Sequence, residues 1–73
     1  MIDYALWAQQ YLDDAQKILS VIERKKKKLK HASKDERKTI SDELMSYRYI
    51  YYDLLKSAEI LSERAKEEQH HAA

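Results

Sequence analysis

The chain has no cysteine, no glycine, no proline and no asparagine. Without cysteine there is neither a disulfide nor a thiolate metal site, and composition leaves the redox compartment open. Without the other three, the residues that usually punctuate turns are missing. A chain so built is a long helix or a hairpin of helices. Glycine-rich phosphate loops are excluded, and there is no strand on which to mount a nucleophile elbow. No run approaches the roughly 18 apolar residues of a membrane span. The opening MIDYALWAQQYLDD lacks a basic region and an uninterrupted apolar stretch, so no signal peptide is expected. The default expectation is a cytoplasmic protein.

What is present is charge and periodicity. The 73 residues make one small domain, too short to be comfortable as an unstapled monomer. The net charge of +1 conceals segregation along the chain. Residues 23–38 carry nine Lys/Arg against three acids, a net +6, and the remainder carries five against ten, a net −5.

Apolar residues recur at steps of three and four through Ala5, Ala8, Leu12, Ala15, Leu19, Ile22 and then Leu29. A second series runs Ile40, Leu44, Tyr47, Tyr51, Leu54, Ala58, Leu61, Ala65. Each marks a helix with one buried face. Between them lies Ser33-Lys34-Asp35-Glu36, a capping box in which Ser33 Oγ accepts from the Glu36 N–H and the Glu36 carboxylate reaches back. The acids beside Ser33 suit a helix N-terminus and the lysines before it suit a C-terminus. These signals predict an all-α antiparallel hairpin: a helix over about 3–31, an elbow at 31–33, a second helix over about 34–68 and a frayed tail at 69–73. The facing residues of the two series add to about 66, which places the elbow on Ser33. The competing architecture is one long coiled-coil helix, whose seam would have to pass through Lys26, Ser33 and Glu36.

A hairpin has one seam, and this sequence has apolar side chains to spare. Beside the first stripe run Tyr4, Trp7, Tyr11, Ile18 and Val21, and on the second helix Ile50 and Leu55 widen the apolar face. Soluble monomers avoid patches of that size, so two hairpins are expected to pair into a homodimeric four-helix bundle. The expected oligomer interface comprises Tyr4, Trp7, Tyr11, Leu12, Ile18, Leu19, Tyr47, Ile50, Tyr51, Leu54 and Leu55. Met45, Tyr49 and Tyr52 fall on the opposite side of the second helix, either as wet bundle-edge residues or as a strip offered to another protein. In outline the chain resembles small plasmid-type helical hairpins that dimerise into four-helix bundles, by architecture alone and with no shared motif. Such a likeness does not carry function.

Signs of catalysis are scarce. Asp13 and Asp14 are adjacent on a helix and diverge by ~100°, the wrong geometry for two carboxylates acting on one atom. Glu67-x-x-His70 and Glu68-x-x-His71 match the Glu-x-x-His spacing of di-metal bundles. The register leaves nothing on the first helix opposite them, so a solvated tail is expected and no metal, cofactor or catalytic residue. His31 reads as a helix-end cation.

The basic elbow offers Lys27, Lys28, Lys30, Lys34, Arg37 and Lys38 as phosphate contacts. Against a nucleic-acid grip stand the absence of a stacking aromatic there, the interruption by Asp35 and Glu36, and the acidity of the rest of the rod. The sequence therefore favours a non-enzymatic, self-associating protein–protein interaction module, with a small nucleic-acid-binding regulator as the alternative.

Overall fold

A computed structural model describes the backbone of residues 2–72 and the side chains through Gln69. Two helices account for nearly all of it: α1, Tyr4–Leu29, and α2, Lys34–Ala72. They pack against each other as an antiparallel hairpin, and no strand occurs among the described residues.

Each helix start is built from a side chain. Asp3 caps α1, accepting from the Leu6 N–H through Oδ1 at 3.0 Å, while its carbonyl takes the Trp7 N–H at 3.1 Å. Ser33 caps α2: Glu36 N–H donates to Ser33 Oγ at 3.3 Å and Arg37 N–H to the Ser33 carbonyl at 2.9 Å. Asp35 and Glu36 occupy the first turn, at the positive end of the helix dipole. One half of the capping box is thus formed, the half that satisfies a helix N–H.

The end of α1 shows how a chain without glycine turns. Among the described residues none adopts positive φ. Lys30, His31 and Ala32 instead donate to the carbonyls three residues back, of Lys27, Lys28 and Leu29, at 3.2–3.4 Å. The last turn tightens in this way and its carbonyls stay satisfied without a left-handed cap. Lys26, Lys27 and Lys28 stand in that turn, where the dipole favours cations.

The core is a single file of apolar side chains: Ala8, Ala15 and Ile22 from α1, with Leu44, Ala58 and Leu61 from α2. No polar or charged side chain is buried among the described residues. On α2 the buried and half-buried residues follow the predicted stripe, from Ile40 through Ala65.

On α1 the seam is rotated from the expected one. Ala5 and Leu12 are exposed, whereas Tyr4, Tyr11, Ile18 and the stem of Lys25 are half-buried; of the expected flank only Leu19 and Leu29 keep partial cover. Ala8, Ala15 and Ile22 sit seven residues apart and serve both stripes equally, so the flanking residues decide which way the helix faces. The Tyr4–Tyr11–Ile18 flank carries more burial-worthy surface than Ala5–Leu12–Leu19, because each aromatic side chain can remove about 150–250 Å² from water. Pairing a against d in antiparallel heptads assigns Ala8 to the layer of Leu61, Tyr11 to that of Ala58, Ala15 to that of Leu54 and Tyr4 to that of Ala65. These four layers oppose small to large, which favours dense packing, while nearer the elbow the same pairing sets Ile18 against Tyr51 and Ile22 against Tyr47.

One polar tie crosses the seam among the described residues. Lys25 Nζ donates to Glu43, and the same ammonium lies 5.6 Å from the centre of the Tyr47 ring. Their residue numbers place the register within a turn of the expected one. The Cα trace extends 59 × 15 × 14 Å, longer than the roughly 39 Å that the 26 residues of α1 span at 1.5 Å each. The reason is α2, whose 39 residues outrun the 26 of α1 and continue as helix through the segment expected to be a tail.

Candidate interaction surfaces

The seam divides the expected interface residues into groups. Ile18, Tyr47, Tyr51 and Leu54 are half-buried in the intramolecular seam, together with Tyr4 and Tyr11. Trp7, Leu12 and Ile50 are exposed, while Leu19 and Leu55 are half-covered at the edges.

Heptad geometry places the edge residues on two broad faces. With Ala8, Ala15 and Ile22 at a, Leu12 and Leu19 fall at e; with Leu44, Tyr51 and Ala58 at a, Leu55 falls at e. In an antiparallel pair the e positions of both helices flank the same side of the seam, and the g positions flank the other. Leu12, Leu19 and Leu55 therefore share one face, with Met45 and Tyr52 beside them at b. Trp7, Val21 and Ile50 share the opposite face at g. The Lys25–Glu43 pair lies on this second side, joining a d position to a g position.

The face bearing Trp7 carries an aromatic ladder. The Tyr4 and Trp7 rings stack at 6.4 Å with planes 11° apart, and Trp7 and Tyr11 at 6.4 Å with planes 26° apart. The spacing of three and four residues makes this stack, and that spacing was legible in the sequence. The exposure of Leu6, Ile2 and Ile60 was not read from the sequence, since all three lie off both apolar stripes.

Among the described residues Met45, Tyr49 and Tyr52 are the most solvent-exposed large apolar side chains, at 73, 75 and 66%. Met45, Ser46, Tyr49 and Ile50 line a shallow apolar depression. Tyr52 also meets the seam residue Tyr51 edge-on, with ring centres 5.6 Å apart. The strip is thereby tied to the hairpin core.

At the elbow, Lys27, Lys28, Lys30, Lys34, Arg37 and Lys38 are all exposed. Among the described residues no carboxylate lies within ion-pair distance of any of them; the pairs that do form are Lys17–Asp14, Lys25–Glu43 and Lys26–Glu23. His31 is exposed beside them. Glu67 and Glu68 are exposed too, and the side chains of His70 and His71 lie outside the described residues. Among the described residues no three His, Cys, Asp or Glu side chains gather closely enough to hold a metal ion. Among the described residues no helix is long and apolar enough to cross a membrane.

Compared with protein-family models, with curated proteins and with solved structures, the chain matches none.

Proposed function

We propose that this chain is a non-enzymatic helical module that works by binding its own kind and, through the outward Tyr49 side of the Met45–Tyr49–Tyr52 strip, a second protein. One observation carries the reading. The hairpin exposes 6143 Å² at a mass of 8.7 kDa, whereas a compact monomer of that mass exposes about 4,700 Å². The excess of roughly 1,400 Å² per chain suits a protein–protein interface, whose standard size is about 800 Å² per partner. Apolar side chains populate that excess: Trp7, Leu12, Met45, Tyr49, Ile50 and Tyr52 all lie more than a third exposed. Sedimentation equilibrium of the full chain tests the reading. A dimer that dissociates on dilution is expected, and a folded monomer up to about 200 μM would end it.

A second reading is favoured by the six elbow cations, which form no ion pair among the described residues and could follow a phosphate backbone. It requires binding of duplex DNA or structured RNA at ~50 mM salt that falls steeply by ~200 mM. Fluorescence anisotropy measures it. Lys27→Glu with Lys28→Glu should abolish binding while leaving helicity intact, and no binding at the lower salt rejects it.

A further inference from the structure

Resting on the self-association reading, we infer that the second copy docks antiparallel on the face formed by Leu12, Leu19, Leu55, Met45 and Tyr52, so that each basic elbow lies beside the acidic far end of its partner.

The choice of face follows from charge. Interface cores are depleted in charged residues and enriched in Met and aromatics. Around Leu12, Leu19 and Leu55 the neighbouring heptad positions hold Gln9, Gln16, Ser62 and two charges, Arg48 and Glu59. On the Trp7 face, Asp14, Lys17, Asp53 and Arg64 interrupt the apolar residues. A partner covering that second face would have to desolvate or pair four charges. Covering the first strips water mainly from apolar and amide groups.

The choice of direction follows from where the patch sits and how charge is spread along the rod. Leu12 and Leu55 each lie about 20 residues from the elbow, or about 30 Å at 1.5 Å per residue, half of the 59 Å extent. A two-fold axis through a central patch lets a second rod overlap the first along its whole length in either direction. Charge breaks the tie. The elbow half, residues 18–50, holds ten Lys/Arg and five Asp/Glu, a net +5. The other half holds four Lys/Arg and eight Asp/Glu, a net −4. Antiparallel copies set +5 beside −4 twice, whereas parallel copies set like beside like at both ends. Such complementarity fixes orientation more than it adds affinity.

The absence of native cysteine makes the test clean, because His31→Cys supplies a single labelling point on the exposed elbow. Double electron–electron resonance on the spin-labelled dimer should give a label separation of about 50 Å, from the rod length and a central axis. A separation below about 25 Å means parallel rods and overturns this inference while leaving self-association intact. Two further readouts fix the face. Tyr52→Glu, at a side chain 66% exposed in the hairpin, should raise the dimer dissociation constant at least about 100-fold with helicity unchanged; an unaltered dimer overturns the proposal. The emission of Trp7 should stay constant as the dimer dissociates, and a shift would place the contact on the opposite face. Lys27→Glu with Lys28→Glu should weaken an antiparallel dimer severalfold at low salt and strengthen a parallel one, so the sign alone decides. A wild-type chain monomeric at every concentration removes the self-association reading itself, an outcome distinct from each of these.

Discussion

Ile22→Ala removes three carbons from a side chain only 3% exposed, in the α1 file that Ala8 and Ala15 complete. Nothing polar lies in that core to take up the space, and its neighbours belong to two rigid helices, so the site collapses poorly. The expected loss is about 2–4 kcal/mol. A chain of 73 residues has a total stability of about 4–11 kcal/mol at 0.05–0.15 kcal/mol per residue. The variant is therefore expected to melt roughly 10–30 °C lower, at about 4–8 °C per kcal/mol for a domain of this size. Far-UV circular dichroism with urea and thermal unfolding measures it, at about 5 and 200 μM chain. Leu12→Ala is the control. Leu12 is 38% exposed and its truncation leaves no closed cavity, so within one hairpin it should cost about 1–2 kcal/mol. Where Leu12 also serves the contact between copies, its cost should grow at the higher concentration, because only the associated state benefits from that side chain. If Leu12→Ala instead cost as much as Ile22→Ala at both concentrations, α1 would be seated on the Ala5–Leu12–Leu19 stripe and the rotated seam would be wrong.

Ser33→Ala removes the side-chain acceptor of the Glu36 N–H and should destabilise the hairpin by about 1 kcal/mol, with Ser33→Asp restoring most of it; urea midpoints at constant slope check both. A double-mutant cycle of Lys25→Met with Glu43→Gln should report a coupling of about 0.5–1 kcal/mol that shrinks in high salt. Zero coupling would mean that the ion pair contributes nothing beyond the packing of its stems.

The two helices and the turn were legible because local chemistry and long-range pattern agreed. Ser33, Asp35, Glu36 and the lysines before them all demand a helix boundary, and both apolar series break there. The facing of α1 was not legible. The strip Ala8–Ala15–Ile22 has a full apolar flank on either side, and a 3–4 repeat cannot distinguish Tyr4–Tyr11–Ile18 from Ala5–Leu12–Leu19. The side chains of α2 bear on the choice: in the heptad pairing Ala58 and Ala65 fall in the layers of Tyr11 and Tyr4, and Leu54 and Leu61 in those of Ala15 and Ala8. Testing small against large across both series at once would have found the rotation. Asp3 was similarly readable as a cap, being a short acid directly before the first helical residue.

That rotation also changes what the surface can do. Had α1 sat on Leu12 and Leu19, those leucines would be spent within the hairpin and the aromatic ladder would be the main exposed apolar feature. With α1 turned the other way, Tyr4, Tyr11 and Ile18 are partly consumed in the seam, and Leu12 and Leu19 join Leu55 and Tyr52 across it. The hairpin is then apolar and nearly uncharged at the centre of one face, while its charge is displaced to the two ends. A hydrophobic centre supplies affinity with little directional preference, and separated end charges supply direction with little affinity. Shifting charge between the ends without altering the apolar patch should therefore reverse the preferred orientation of two copies before it abolishes their association.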